Sequence, residues 1–463
     1  MKQHKIYIMI GFMLFALFFG AANLIYPAFL GLYSGKNLIW SILGFCLTGV
    51  SLPLLGVIAI SKSGSEDVKS LSAPISKWFA IVYSSLLYLS IGPFFAIPRT
   101  GATSFSVGIA PIFGDNIFIK CLYATLFFGL SYYLAIRPSR LAENIGKFLT
   151  PTLLIVIAIL IVSSFLHPAG SYGTSINVDS GINNAFKDFP FMAGLIQGYG
   201  TMDALASLVF SIIVIDAVKQ FGAKSDREVT QMTLISGLIA IGLLAFVYIF
   251  IGRIGATSQN LFTFSDGHFT LHHRSVNGGQ ILSHAAHFYL GGLGQTCLAI
   301  IIFLACLTTS TGLISSSAEF FHKLLPKVSY FVWASLFTLV SAFFYFGGLN
   351  EIIKWSAPVL YLLYPLTIVI IFLVRCKDLF GNDALVYRIT VLFTTIPALY
   401  DALSTLSKMT GLFQVPTLLS QFFEKVVPLG QFALGWIPFA ISGTVMSLLI
   451  KKIKKKAKLS KSA

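Results

Sequence analysis

FMLFALFFGAANLIYPAFLG, residues 12–31, is an apolar run long enough to cross a membrane, and it is interrupted at its centre. Gly20 and Asn23 stand in the middle of the run, and Pro27 follows them. A helix that only anchors a protein in lipid gains nothing from such residues at membrane depth. A helix that opens there, and presents bare backbone to a ligand, requires them. GYGTMDALAS at 198–207 interrupts a second apolar run, and two interrupted helices in matching halves predict a transporter-like binding site.

The rest of the chain has the composition of a membrane protein. Of its 463 residues, 56% are hydrophobic and 11% are charged, and the mean hydropathy is +0.84. A soluble protein would carry about 25% charged residues. We therefore predict an all-α polytopic membrane protein, because no alternating strands of the transmembrane-barrel type occur. Apolar surroundings and the absence of a CxxC pair favour free thiols over disulfides at the five cysteines: Cys46, Cys121, Cys297, Cys306 and Cys376.

Hydropathy predicts twelve membrane spans, and the first is read as a span rather than a cleaved signal peptide. They lie near 8–31, 38–60, 78–101, 117–136, 149–166, 191–217, 230–252, 288–318, 328–347, 351–374, 386–404 and 429–450. With both termini in the cytoplasm, the cytoplasmic segments hold 23 of the 32 Lys and Arg residues. This asymmetry accounts for the net charge of +15 without nucleic-acid binding, and the basic tail is expected to touch lipid headgroups.

The two interrupted spans also predict an internal symmetry. If each begins a group of five spans, the first group starts inside and the second outside, so the repeats are inverted. The predicted divisions are the first repeat at 1–166 and the second repeat at 167–375. Two additional helices follow at 376–450, and the basic tail occupies 451–463.

Small residues make the first break a candidate ligand site. Gly20, Ala21 and Ala22 allow a ligand to approach the backbone, and Asn23 adds a side-chain oxygen. Amides at the N-terminus of a half-helix suit a carboxylate, whereas carbonyls at a C-terminus suit a cation. The alternative is a packing glycine, with Asn23 bonded to a neighbouring helix.

The second break contains an acid at membrane depth, Asp203. Such a carboxylate is costly and usually faces a cavity or a partner. It would bind a cation, pair with the amino group of a substrate, or accept backbone amides; alternatively it caps the helix that resumes at Ala204. The candidate residues of this break are Gly198, Tyr199, Gly200, Thr201, Met202 and Asp203.

Span 8 contains three consecutive hydroxyl residues, Thr308, Thr309 and Ser310. Their oxygens suit Na⁺, although Ser and Thr in membrane helices often bond back to the preceding turn. At the end of span 3, Arg99 either extends to the headgroups or closes an outer gate with an acid.

The long outer loop at 253–287 contains five histidines, and solvation is favoured over metal binding because no metal-ligand spacing appears. These are His268, His272, His273, His284 and His287.

Enzymes and channels fit the sequence less well than a transporter. The chain lacks nucleotide-binding, hydrolase and metalloprotease motifs, so we expect no enzyme and no cofactor. It also lacks the filter loop or continuous polar stripe of a channel, and the output domain of a sensor.

Three segments resemble the bacterial branched-chain amino acid:cation symporters, the BrnQ or LIVCS family. They are FALFFGAANLIYPAFLG (15–31), PFFAIPRTGATSFSVGIAP (93–111) and GYGTMDALASLVFSIIVIDAVK (198–219). The resemblance implies uptake of leucine, isoleucine and valine across the bacterial plasma membrane, driven by Na⁺ or alternatively by H⁺. It also implies the leucine-transporter fold of the APC superfamily, with a five-plus-five inverted repeat and two further helices.

The same resemblance assigns roles to individual residues. The substrate carboxylate would meet the amides of Gly20, Ala21 and Ala22, and the amino group and side chain would lie against 198–203. One Na⁺ would lie between span 1 and span 8. Its ligands would be carbonyls of span 1 and residues of span 8, namely Ala16, Phe19, Ala305, Thr308 and Thr309. A second Na⁺ in that fold uses the Asn equivalent to Asn23 and an Asn on helix 7. Span 7 has no Asn here, so that second pattern is incomplete.

Overall fold

The computed structural model describes residues 3–20, 22–65, 67–137, 140–178, 184–271 and 274–462, and most of them are helical. The α-helices are α1 Gln3–Phe18, α2 Ala22–Ser34, α3 Leu38–Cys46, α4 Leu52–Ser63, α5 Val68–Ser72, α6 Lys77–Leu89, α7 Ala96–Ser104, α8 Ala110–Phe113, α9 Ile117–Ala135, α10 Arg140–Leu166, α11 Pro190–Tyr199, α12 Asp203–Gln220, α13 Asp226–Thr257, α14 Gly278–Leu324, α15 Tyr330–Tyr345, α16 Gly348–Arg375, α17 Lys377–Phe380, α18 Ala384–Thr410, α19 Thr417–Gln421 and α20 Trp436–Ser462.

Shorter elements join these helices. The π-helical turns are Leu47–Ser51, Ser90–Phe94, Phe105–Ile109 and Phe422–Val426, and the 3₁₀ turns are Gly35–Asn37, Gln259–Leu261 and Gly430–Phe432. A small antiparallel sheet has the strands β1 Thr263–Ser265, β2 His268–Leu271 and β3 Arg274–Ser275, in that order.

Each predicted span falls on helical structure, although the spans differ in length and continuity. Among the described residues, 8 helices are long and apolar enough to cross a membrane, or 9 if one bent pair forms a single span. Three shorter apolar helices, His4–Phe18, Pro151–Leu166 and Tyr330–Tyr345, lie at the predicted spans 1, 5 and 9. The first of these is short because the break divides span 1 between α1 and α2.

The chain divides into two compact units. The first comprises Met1–Leu54, Tyr88–Ala206 and Leu234–Lys354, and the second comprises Leu55–Leu87, Ser207–Thr233 and Trp355–Ala463. This division follows contacts rather than sequence order, and the predicted inverted repeats stay a prediction.

In the first unit, glycines bring α3 and α11 into direct backbone contact. A Cβ placed on Gly194 would lie 1.9 Å from Ser41 O, and one on Gly198 would lie 1.9 Å from Thr48 Oγ1. The hydroxyl of Thr48 donates to the carbonyl of Leu195 at 2.7 Å. Small residues four apart are a common means of close helix packing in membranes. They hold α11 in place directly before the second break.

The predicted loop at 253–287 is shorter in the structure. α13 continues to Thr257, and α14 begins at Gly278 because Asn277 and Gln280 form a reciprocal capping box. The helix therefore begins before the predicted start of span 8 at 288, and Gly291, with a φ of 62°, breaks α14 close to that predicted start.

The histidines of this region do not share one loop. His268 lies on β2, and His284 and His287 lie on α14, whereas His272 and His273 lie outside the described residues. In the part of the chain that the structure describes, no three His, Cys, Asp or Glu side chains form a metal-binding group.

In the second unit, charged residues connect the ends of α4 and α16 with α17. Lys62 Nζ lies 2.5 Å from Asp378 Oδ2 and 3.2 Å from Arg375 O, and Lys377 Nζ donates to Lys62 O at 3.0 Å. The Lys62 ammonium beside Asp378 holds the pKa of that carboxyl below its ordinary value. These contacts fix the helix ends where the chain leaves the predicted spans.

Candidate substrate and cation site

The first break is organised by the side chain of Asn23. α1 ends at Phe18 and α2 begins at Ala22. The side-chain oxygen Oδ1 of Asn23 accepts a hydrogen bond from the backbone N–H of Gly20 at 2.9 Å. The backbone N–H of Asn23 donates to Gly20 O at 3.2 Å. Asn23 therefore supplies a local partner for backbone that a continuous helix would pair within itself.

Of the residues predicted at this break, Ala21 lies outside the described residues. Ala22 is buried and starts α2, so its amide belongs to the N-terminus of a half-helix. The Gly20 amide is already engaged by Asn23, and a substrate carboxylate would compete for it. Ala16 lies within α1, and Phe19 is buried directly before Gly20.

The second break depends on Thr201 and on an unusual backbone conformation at Met202. α11 ends at Tyr199 and α12 begins at Asp203, and between them Met202 has a φ of 64°. This left-handed conformation costs a non-glycine residue about 1–2 kcal/mol. Thr201 Oγ1 donates to Gly198 O at 2.9 Å and accepts the Asp203 amide at 3.3 Å.

The carboxylate of Asp203 has partners on other helices. Its oxygen Oδ2 accepts from Asn23 Nδ2 at 2.6 Å and from Tyr248 Oη at 3.3 Å. Thr201 bonds the amide of Asp203 at this helix start, and the role of the Asp203 side chain as a helix cap stays a prediction. The acid takes part in contacts that join the two breaks.

Asn23, Asp203 and Tyr248 form a buried polar junction. Asn23 Nδ2 also donates to Tyr248 Oη, and the three residues are 1%, 5% and 0% exposed. Low polarity around such a network strengthens each hydrogen bond and makes a missing partner costly. Asn23 is bonded to neighbouring helices, as the alternative interpretation expected, and its role in binding a ligand stays a prediction.

Tyr248 is the member of this junction that the sequence analysis missed. It lies in α13, within the predicted span 7, which contains no Asn. Its only signal is a hydroxyl in an otherwise apolar run, and aromatic residues are too common in this chain for that signal to stand out.

The three consecutive hydroxyl residues of α14 differ in their hydrogen bonds. Thr308 Oγ1 and Thr309 Oγ1 both donate to Ala305 O, at 2.9 and 3.0 Å. Ser310 is fully buried, and its hydroxyl has no hydrogen-bond partner among the described atoms. Back-bonding to the preceding turn is thus present, but each hydroxyl oxygen keeps acceptor capacity for a cation.

Thr309 is the hydroxyl residue that lies against the first break. A Cβ placed on Gly20 would lie 3.6 Å from Thr309 Oγ1 and 3.6 Å from Asn23 Oδ1. A side-chain oxygen of α14 and a side-chain oxygen of span 1 therefore both lie near Gly20. Neutral hydroxyl, amide and carbonyl oxygens are suitable ligands for a hard cation such as Na⁺, so the residues present fit the predicted ion.

Arg99 lies inside the protein rather than at a headgroup position. It is 4% exposed, and its guanidinium donates to the carbonyls of Gly200 and of Thr201, the latter at 3.0 Å. Its carbon atom Cζ lies 5.9 Å from the centroid of the Tyr26 ring. The predicted extension to the headgroups is wrong, and the acid that a gate requires does not appear among these contacts.

The geometry therefore combines three kinds of polar group around two helix breaks. One acid, one buried cation and several uncharged oxygens and amides lie among the candidate residues. Such a set offers partners to both ends of a zwitterion and oxygen ligands to a small cation.

Comparison with known proteins relates the whole chain to amino acid transporters. Residues 3–454 match the family described as "Branched-chain amino acid transport protein". The branched-chain amino acid permease BraB of Bacillus subtilis is 38% identical over 445 residues, covering 96% of this chain and 95% of the permease. The permease BrnQ of the same organism is 36% identical over 445 residues, with 96% of each chain covered.

Solved transporters share the fold at much lower sequence identity. The inward-facing conformation of Mhp1 has a TM-score of 0.54 at 16% identity and covers 96% of this chain and 91% of that one. MhsT in complex with L-phenylalanine has a TM-score of 0.52 at 17% identity, covering 86% of this chain and 98% of that one. Both are leucine-transporter-fold proteins, and the likeness shows that fold for this chain.

Proposed function

Because this chain belongs to the branched-chain amino acid transport protein family, we propose that it imports leucine, isoleucine and valine by symport with Na⁺. The observation that carries the proposal is the junction of Asn23, Asp203 and Tyr248, which joins two interrupted helices inside the protein. Broken helices that expose backbone to a ligand are a feature of secondary transporters.

The substrate would lie between the two breaks. Its carboxylate would approach the amides of Gly20, Ala21 and Ala22, where the N-terminus of α2 favours negative charge. Its amino group would face Asp203, the acid of the second break, and its side chain would lie along Gly198–Met202. The branched apolar side chain suits these surroundings because most of them are small or apolar and buried.

The coupling ion would lie between the first break and α14. Its proposed ligands are the carbonyls of Ala16, Phe19 and Ala305 and the hydroxyls of Thr308 and Thr309. The closeness of Thr309 to Gly20 supports this assignment. An ion bound there couples to substrate only if it favours the state that accepts the amino acid, as alternating access requires.

Coupling to protons is the second candidate, and Asp203 is the observation that favours it. A buried carboxylate is a natural proton carrier in membrane transporters. In that case the family and fold would stand, and the ion assignment to α14 would not.

The setting of this function would be the bacterial plasma membrane. We propose twelve spans arranged as two inverted groups of five with two further helices, both termini in the cytoplasm, and the basic tail against anionic headgroups. The apolar helices and the family support a multi-pass protein.

Uptake of labelled leucine into proteoliposomes tests the proposal. An inward Na⁺ gradient is compared with a matched K⁺ gradient and with a pH gradient alone. We expect Na⁺-dependent accumulation that isoleucine and valine compete away. Accumulation driven only by the pH gradient would reassign coupling to H⁺ and Asp203, and no accumulation by folded protein under any gradient would refute the substrate assignment.

A further inference from the structure

Arg99 is a buried charge without a role in the proposed binding of substrate or ion. It lies in α7, and its guanidinium donates through Nη1 to Gly200 O and through Nη2 to Thr201 O. An arginine remains charged in proteins, so its burial needs a structural reason.

The two acceptors of Arg99 are both main-chain oxygens of the second break. Carbonyls at the end of a helix need partners from outside that helix, and a planar guanidinium offers two donors at a fixed separation. The adjacent residue, Met202, has a left-handed backbone that this segment would not adopt without support. Arg99 supplies such support directly before the turn.

One further contact of the guanidinium is with an aromatic ring. The ring of Tyr26 lies beneath it, and a Cβ placed on Gly200 would lie 2.3 Å from that same ring. Asp203 follows two positions after Thr201, whose carbonyl Arg99 bonds, so the buried acid lies close along the chain to the second acceptor of Arg99. Tyr26 follows the first break and Gly200 belongs to the second, and Arg99 thus contacts residues of both broken spans.

We propose that Arg99 is a substrate-positioning residue, a permanent internal cation that holds the second break open and occupies the carbonyls of Gly200 and Thr201. The positive charge beside those two oxygens disfavours the approach of the substrate's amino group, which is directed to Asp203. This inference rests on the proposed function, because it concerns the same site.

The test compares Arg99→Lys and Arg99→Gln with the wild type and with the control Arg253→Gln. Arg253 also donates to a main-chain carbonyl, that of Ser164 at 3.3 Å, and its guanidinium stacks on Phe165 at 3.6 Å, but it lies at neither break. For each purified protein, the KM and maximal rate of leucine uptake, the midpoint of thermal unfolding and the leucine-induced shift of that midpoint are measured.

We expect Arg99→Gln to raise KM for leucine at least tenfold, and Arg99→Lys to raise it less because it keeps the charge but not the paired donors. Methylguanidinium should lower KM again in a third variant, Arg99→Ala, and should not affect Arg253→Gln. The control should lower thermal stability at unchanged KM.

An unchanged KM in both Arg99→Lys and Arg99→Gln would overturn the inference, as would a loss of uptake that only follows loss of folded protein. If Arg99→Gln does not fold, an unaltered leucine-induced shift in Arg99→Lys has the same consequence. Failure of the wild type to take up leucine would instead refute the proposed function, so the two failures are distinguishable.

Discussion

Single side chains at the two breaks have several partners each, and this makes conservative substitutions informative. The side chain of Asn23 accepts one backbone N–H and donates to two side chains. The oxygen Oδ2 of Asp203 accepts one hydrogen bond from Asn23 and one from Tyr248. In such a network, loss of one atom leaves more than one group unsatisfied.

Tyr248→Phe removes one hydroxyl from this junction. We expect it to destabilise the protein by about 1–3 kcal/mol and to raise the KM for leucine, because Asn23 and Asp203 lose a buried partner. Thermal unfolding and uptake kinetics measure the two effects. The matched control is Tyr83→Phe, which removes a buried hydroxyl 2.6 Å from Thr367 in the second unit. A similar rise in KM for the control would argue that the junction has no special role.

Thr309→Ala removes the hydroxyl nearest to Gly20. We expect the Na⁺ concentration for half-maximal leucine uptake to rise about tenfold, which corresponds to about 1.4 kcal/mol of lost ion binding. Thr309→Ser should retain most of the affinity because it keeps the hydroxyl. The control is Thr311→Ala, whose hydroxyl bonds back to Leu307 O at 2.8 Å in the same manner. Equal Na⁺ dependence of Thr309→Ala and the wild type would contradict the ion assignment.

At the scale of elements, the breaks are held by close packing of the helices that flank them. α11 approaches α3 so closely that Gly194 has no room for a methyl group, and the atom it would meet belongs to the backbone of Ser41. Backbone cannot move aside as a flexible side chain does, so the two helices would have to separate.

Gly194→Ala is therefore expected to lower stability by about 1–3 kcal/mol through overpacking. It should also weaken leucine uptake, since α11 leads directly into the second break. The control is Gly242→Ala in α13, where a Cβ meets nothing within 4 Å. Alanine there should be neutral or slightly stabilising, because it favours a helix over glycine. The midpoints of thermal unfolding in detergent decide the comparison, and equal midpoints for the two variants would rule out the contact.

At the scale of the whole molecule, the distribution of Lys and Arg predicts which loops face the cytoplasm. The segment 61–77 is predicted inside, and the segment that contains the small sheet is predicted outside. An odd number of predicted spans separates them, so this pair of loops tests the count as well as the orientation.

Cysteine labelling tests that topology. In a protein whose exposed Cys121 and Cys297 are replaced by Ser, we introduce Ser265→Cys or Ala73→Cys, both at exposed positions. A membrane-impermeant maleimide should label Ser265→Cys in intact cells and Ala73→Cys only after the membrane is opened. Labelling of both from the same side would show that the predicted number of spans between them is wrong.

Features that arise from neighbouring residues were predictable from the sequence. Apolar length indicated where helices lie, and Gly20, Asn23 and the run Gly198–Asp203 indicated both breaks. The start of α14 was missed because Asn277 and Gln280 extend that helix into a stretch of modest hydropathy. The buried position of Arg99 was missed because its acceptors are carbonyls, which every residue carries and no sequence pattern marks.

The sequence by itself determined the membrane class, the family and the two interruptions, because hydrophobicity and helix-breaking residues act over one or two helical turns. Only the tertiary structure decided that Asn23 bonds Asp203 and Tyr248, which lie 180 and 225 positions away, and that Thr309 meets Gly20. Partners at such separations depend on how helices pack, and a buried polar group must bond whatever donor or acceptor that packing brings within reach.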